Sequence, residues 1–286
     1  MTTGAIRTYL KRIGIHDEGL HKDVMQNNVR CDLHLLSRLQ WAHMCSVPFE
    51  NIDIMRGKQV SLEREHLYRK IVTERRGGVC SELNTLYNWL LESLGFDPVS
   101  FSSRVISEAV PYPGRSHRVM RVILNGYSYI TDAGYNYEHH RKPLQLEEDL
   151  IQCDGECDYV FRREEVSGWV LYQRPAGGKA WRRKISFTED PWLDSDFTAP
   201  TFFAQYHPDS KINKALKVSL YKNGIFRGIR QGDHLEEHGG IVKILEPGIS
   251  AERTDVLLKE EFGLDIEQIK GQAGQNAVTQ RRMPRR

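Results

Sequence analysis

The chain of 286 residues has almost no surplus of either charge. Forty Lys and Arg stand against 38 Asp and Glu, a formal net charge of +2. So small an imbalance builds no extended basic surface, and nucleic acid is not an expected partner. No apolar run is long enough to cross a bilayer. The N-terminal MTTGAIRTYLKRIGI lacks the apolar core of a secretory signal. The expectation is a cytoplasmic protein with no membrane partner. A phosphate-cradling GxxxxGK[ST] loop is missing, and no internal repeat is visible.

Cysteine is scarce. Its five copies, Cys31, Cys45, Cys80, Cys153 and Cys157, are odd in number. In a reducing compartment that argues against a disulfide framework. Cys153 and Cys157 lie in CDGEC, a spacing that matches structural zinc pairs poorly, and no second Cys/His pair accompanies them. No metal is expected, and the segment reads as a solvated acidic loop.

The composition, 40% hydrophobic and 27% charged, is that of a globular chain with a real core. The first ninety or so residues carry helical patterns. Asp32 is placed to cap a helix with Leu35, Leu36, Leu39 and Ala42 on one face, stopped by Pro48. Ser61 is placed to cap another, with Leu62, Leu67, Ile71 and Val72 inward, ending at Gly77 and Gly78. A third starts near Cys80, with Leu83, Leu86, Tyr87, Leu90, Leu91 and Leu94 at helical spacing and Gly95 after its end.

From Val99 short runs rich in Val, Ile, Tyr and Phe alternate with turn residues, which predicts strands in a barrel or strongly curved sheet. Asp194 to Pro200 reads as a linker. Beyond it, LKVSLYKNGIFRGIR predicts a hairpin turning at Asn223-Gly224, HGGIVKIL a strand, and Ser250 a cap for a helix with Val256, Leu257 and Phe262, closed by Gly263. The last residues, KGQAGQNAVTQRRMPRR, have almost no apolar content and read as a mobile tail over 271–286.

One stretch raises a chemical question: RRGGVCSELN at 75–84 puts two glycines ahead of a cysteine that opens a helix. Free backbone N–H groups and the positive end of the helix dipole gather there and favour a thiolate. The glycines let the backbone turn sharply and leave room for a ligand beside the sulfur. A small buried hydrophobe is the commoner role of a free cysteine, so Cys80 needs a base to be more.

His117 supplies one. It opens the strand HRVMRVIL, and Asn125-Gly126 marks a two-residue hairpin loop. Leu124 then pairs with Tyr127, and Asp132 falls opposite Val119. Because side chains alternate, His117, Val119 and Asp132 share one face. Asp132 is the diagonal neighbour of His117, about 7–8 Å away between Cα atoms, within reach of an imidazole and a carboxylate. A loop one residue longer would put the two on opposite faces. The expected constellation is Cys80 as nucleophile, His117 as base and then acid, and Asp132 as orienter, at a domain junction.

RGGVCSELN at 76–84, His117 after a Pro/Gly turn, and ITDAGY at 130–135 closely resemble the arylamine N-acetyltransferase family. VPFENIDI at 47–54 and QYHPDS at 205–210 resemble further family segments, and the likeness runs from about residue 5 to 265. The resemblance implies an α+β, cysteine-protease-like three-domain architecture. Its parts are a helical bundle over 1–96 carrying the nucleophile, a β-barrel over 97–194 carrying His and Asp, and an α/β lid with interdomain segment over 195–270.

It also implies ping-pong acetyl transfer from acetyl-CoA through a Cys80 thioester to an arylamine, hydrazine or N-hydroxyarylamine. Pro113, Gly114 and Arg115 match the family's CoA-contacting turn, and Phe49 and Tyr135 its aromatic acceptor pocket. Arg76 and Glu50 match a structural ion pair, while Glu82 and Asn84 fall on the first turn of the helix. Asn136 departs from the family, which often has glycine there, and puts the acceptor range in question. The order Cys, His, Asp also suits an amide synthase or hydrolase of the same fold acting on another acyl donor.

Overall fold

The computed structural model describes residues 1–107, 110, 112–267 and 269. The tail expected over 271–286 lies outside the described residues. The first third is helical: α1 (Thr3–Arg12), α2 (Glu18–Gln26) and α3 (Leu33–Ser46). Thr2, Asp17 and Asp32 cap them by accepting the N–H groups of Ala5, Leu20 and Leu35. A two-residue strand, β1 (Phe49–Glu50), leads to the short α4 (Ile52–Met55).

The next helix, α5 (Arg64–Leu67), starts later than expected. Ser61 does not cap it but takes the Glu63 N–H at 3.2 Å. It widens into a π-helical turn over Tyr68–Thr73 and stops ahead of the glycines, where Arg75 enters the left-handed region at φ 56°. The long α6 (Cys80–Leu94) ends at Gly95, φ 100°, with the Phe96 N–H returning to Leu91 O at 3.1 Å.

The middle of the chain forms an eight-stranded antiparallel sheet that curls into a nearly closed barrel. Its strands are β2 (Pro98–Val105), β3 (His117–Leu124), β4 (Tyr127–Thr131), β5 (Leu144–Gln145), β6 (Gln152–Cys153), β7 (Cys157–Glu164), β8 (Gly168–Pro175) and β9 (Arg182–Pro191), in spatial order β5-β4-β3-β2-β9-β8-β7-β6. The two edges are tied by one side chain: Gln152 Oε1 accepts the Gln145 N–H at 2.8 Å and its Nε2 donates to Gln145 O at 2.9 Å. Phe101, Val119, Ile130, Phe161, Leu171 and Phe187 fill the interior. CDGEC closes the β6–β7 hairpin rather than lying in solvent throughout: Cys157 is fully buried, and Gln173 Nε2 donates to its sulfur at 3.0 Å.

Asp194–Phe197 is a 3-10 turn running into α7 (Thr198–Tyr206), where a linker was expected. Pro200 fits because first-turn N–H groups have no partner within the helix. Asp194 is held by Arg64 at 2.9 Å and by the buried Arg118 at 2.8 Å, so the segment is fastened to the barrel.

A second antiparallel sheet follows, with β10 (Lys217–Lys222), β11 (Ile225–Arg230), β12 (Asp233–His238) and β13 (Ile241–Glu246), and then α8 (Ala251–Glu260). Asn223-Gly224 turns β10 into β11 with φ 52° and 78°, as the sequence predicts. Ser250 caps α8, and Leu257 and Phe262 are buried, whereas Val256 is exposed. The strand order is β1-β10-β11-β12-β13, so residues ahead of α6 complete a sheet made late in the chain.

Candidate active site

The loop before α6 sets the position of Cys80. Glu82, in the first turn of the helix, accepts the Val79 N–H at 2.9 Å and the Lys70 ammonium at 2.8 Å. Lys70 also meets Asp53 at 2.8 Å, and Arg76 meets Glu50 at 2.7 Å and Asp53 at 3.1 Å. The loop thus rests on a buried charge network that includes the expected Arg76–Glu50 pair.

Gly77 and Gly78 work differently from the sequence reading. Neither has a positive φ. A Cβ on Gly77 would overlap the Pro48 carbonyl oxygen, and one on Gly78 would sit 2.7 Å from Glu82 Oε2. The space they leave is taken by the chain itself. Gly78 O accepts the Glu50 N–H at 2.9 Å, which binds the loop to β1.

Cys80 is the first residue of α6 and is half-buried. His117 opens β3, and the β3–β4 register pairs Leu124 with Tyr127 and Met120 with Thr131, as derived from the Asn125-Gly126 turn. Asp132 follows directly after β4, and its Oδ2 lies 2.6 Å from His117 Nε2, both side chains 1% exposed. The remaining ring nitrogen is left for Cys80, whose side chain also favours the charged form of the ring. Burial alone would lower the pKa of the ring; the Asp132 carboxylate and Cys80 outweigh it and raise it to about 10. Burial likewise pushes the Asp132 carboxyl up, and the His117 charge more than reverses this, holding it well below its ordinary range.

Asp132 and its loop have several further partners, of which the sequence singled out only Asn84. Asn84, one turn after Cys80 on α6, donates to Asp132 Oδ1 at 2.8 Å and accepts the Ala133 N–H at 3.0 Å. It is fully buried. The Gly134 N–H donates to Asp132 Oδ1 at 2.9 Å, and a Cβ there would come within 3.0 Å of Cys80 O. Gln40 of α3 accepts the Thr131 hydroxyl at 2.7 Å. His139 lies 3.3 Å from Asp132 O, and burial drops its pKa to about 4. A cysteine-to-asparagine spacing of one helical turn was the available signal for Asn84; Gln40 and His139 carried none.

Tyr135 meets the His117 ring edge-on, with centroids 5.4 Å apart. Tyr135 and Phe49 line one cavity with Met44, Leu83, Ser219 and Phe226. Asn136 does not stand in open space: its Oδ1 accepts the Ser219 hydroxyl at 2.8 Å, joining the loop after Asp132 to β10. Pro113, Gly114 and Arg115 form the turn just before His117. The Pro113 carbonyl accepts from Arg104, Gly114 is exposed, and Arg115 lies 3.8 Å from Asp190. Among the described residues there is no group of His, Cys, Asp and Glu placed to hold a metal.

A buried imidazole gripped by a carboxylate beside a cysteine at a helix start is the arrangement of acyl-transferring cysteine enzymes. The family model described as N-acetyltransferase matches residues 32–271, and the chain belongs to that family; it is an acetyltransferase. The arylamine N-acetyltransferase of Mycolicibacterium smegmatis is 28% identical over 278 residues, covering 95% of this chain and 96% of that one. The solved structure of the M. smegmatis enzyme superposes with a TM-score of 0.81 at 28% identity, covering 92% and 93% of the two chains. That of the Salmonella typhimurium enzyme gives 0.81 at 25% identity over 92% of each.

Proposed function

We propose that the protein transfers acetyl groups by a ping-pong route from acetyl-CoA to an arylamine, hydrazine or N-hydroxyarylamine. Cys80, as thiolate, attacks the thioester carbonyl, and CoA leaves with the proton that His117 held. The Cys80 acetyl thioester is then attacked by the amine. His117 takes the amine proton as the tetrahedral intermediate collapses, and the Cys80 thiolate is released. Aryl amines are weak bases, so their lone pair is free at neutral pH. Asp132 fixes the ring and balances its charge in both halves. The Cys80 N–H, at the first position of α6, is the donor we assign to the oxyanion.

Phe49 and Tyr135 are the acceptor-pocket residues in this reading. Pro113, Gly114 and Arg115 are its CoA-binding residues, because their turn adjoins His117. We divide the chain into a nucleophile-bearing bundle over 1–96, a barrel over 97–194 and an α/β lid over 195–270. The barrel cluster, drawn wholly from residues 99–187, supports this division; the first cluster also takes in Met120, Val122, Tyr221 and Phe226, and β1 crosses the division. No helix among the described residues is long and apolar enough to cross a membrane. We place the protein in the cytoplasm, where thiols stay reduced.

The observation that carries the reading is the 2.6 Å His117–Asp132 pair, with Cys80 near enough to the ring to favour its charged form. Mixing the protein with acetyl-CoA alone is expected to release CoA in a burst and leave one acetyl group on Cys80, read by mass spectrometry. Adding aniline then discharges it. Cys80→Ala abolishes both steps. Substantial turnover by that variant, or hydrolysis that aniline does not redirect, would sink the proposal in favour of another chemistry on this fold.

A further inference from the structure

Lys184 occupies a place that strand geometry alone would not give it. In the β8–β9 ladder Leu171 pairs with Ile185 and Tyr172 with Arg183, so Lys184 is the extra residue of a β-bulge. Ile185 is packed inside the barrel, and regular alternation would send its neighbour outward. The bulge re-aims the side chain, as bulges do beside functional sites. It brings the ammonium to 5.7 Å from the centroid of the Tyr135 ring.

There Lys184 lines a cavity together with Asp132, Tyr135, His139, His140 and Tyr159. Among the described residues the ammonium forms no ion pair, and the nearby carboxylates are engaged elsewhere. Asp132 is held by His117, Asn84 and Gly134. Glu138 takes the N–H groups of Gly239 and Gly240. Glu237 faces Arg230 at 3.6 Å. His140 meets Lys142 O through Nδ1 at 2.8 Å, which leaves its buried Nε2 in the cavity wall without a partner among the described residues. Burial lowers the pKa of Lys184, a cost that an incoming anion would offset.

An ammonium drawn partly out of water without a counter-ion is costly. Here it stands against the aromatic ring whose edge touches His117. We propose that Lys184 forms an anion-binding subsite that takes a carboxylate carried by the aromatic amine acceptor. This deepens the transfer reading and rests on it. The acceptor ring lies along Tyr135 with its amine toward the Cys80 thioester, and its carboxylate meets Lys184. A charge-assisted hydrogen bond of this kind is worth about tenfold or more in specificity.

The test compares para-aminobenzoate with the uncharged para-aminobenzamide as acceptors at saturating acetyl-CoA. Lys184→Met is expected to lower kcat/KM for the benzoate by about tenfold or more while leaving the benzamide nearly unchanged. Lys184→Arg is expected to restore most of the loss. Equal effects on both acceptors, or a change confined to the KM for acetyl-CoA, would overturn the proposal; the latter would give the ammonium to the donor's phosphates. Acetylation of Cys80 by acetyl-CoA without amine, measured in each variant, separates the two claims. A wild-type protein that takes no acetyl group defeats the transfer reading. An acetylated Lys184→Met protein with the wild-type acceptor preference defeats only the subsite.

Discussion

His117 and Asp132 each carry a charge that burial opposes and the partner restores. The ring is raised from 6.5 to about 10, so its pairing contributes fully below the unfolded value and is lost as pH rises through about 10. The Asp132 contribution, from a depressed carboxyl, is present above the ordinary carboxylate range and lost on acidification. Asp132→Asn is expected to keep the fold, lower acetyl transfer by orders of magnitude, and melt below wild type near neutral pH. That gap should narrow by about pH 10. Melting curves at both pH values check this; an equal gap at each would show that the pair is not ionised. The pair was legible from chain alone because a two-residue Asn-Gly turn fixes register by counting. Asn84, Gln40 and His139 were not, since what they touch depends on how α3 and α6 lie against the barrel.

At the level of elements, the loop over 75–79 is decided by what surrounds it. Gly77 and Gly78 look like a helix terminator in sequence, yet the helix has already ended at Thr73. Their missing side chains admit the Pro48 backbone and the Glu82 carboxylate. Gly77→Ala is expected to cost about 3 kcal/mol or more, because backbone on both sides must move. Gly114→Ala, with nothing within 4 Å of the added Cβ, should stay within about 0.5 kcal/mol. Denaturant midpoints of the two variants measure the contrast, and similar values would show the loop to be slack. Helix starts at Asp32 and Ser250 and both Asn-Gly hairpins were readable, because caps and turns are satisfied by neighbours in sequence. The helical run over Asp194–Pro200 was not, since Arg64 and Arg118 hold it from afar.

For the molecule as a whole, the joint lies at VPFEN. Asn51 donates to Ile212 O at 2.6 Å and Ala215 O at 2.8 Å, and accepts the Lys217 N–H at 2.7 Å. β1 beside it pairs Phe49 with Ser219 and Glu50 with Val218. One short segment therefore carries a pocket residue, the partner of Arg76 and the edge of the second sheet. Asn51→Ala leaves three backbone groups short of a partner and is expected to cost about 3 kcal/mol, with faster hydrogen exchange over β10. Exchange and stability within about 0.5 kcal/mol of wild type would show the sheet to be held by its other contacts.

By itself the sequence determined the helix patterns, the change to strands after Gly95, the cysteine at a helix start and the His117–Asp132 register. All of these follow from periodicity, caps and turns acting over a few residues. Tertiary structure alone decided that β1 completes a sheet made some 170 residues later in the chain, that Asn84 grips Asp132, and that a bulge turns Lys184 toward Tyr135. Those outcomes depend on which distant surfaces exclude water from one another, and no local pattern encodes that choice.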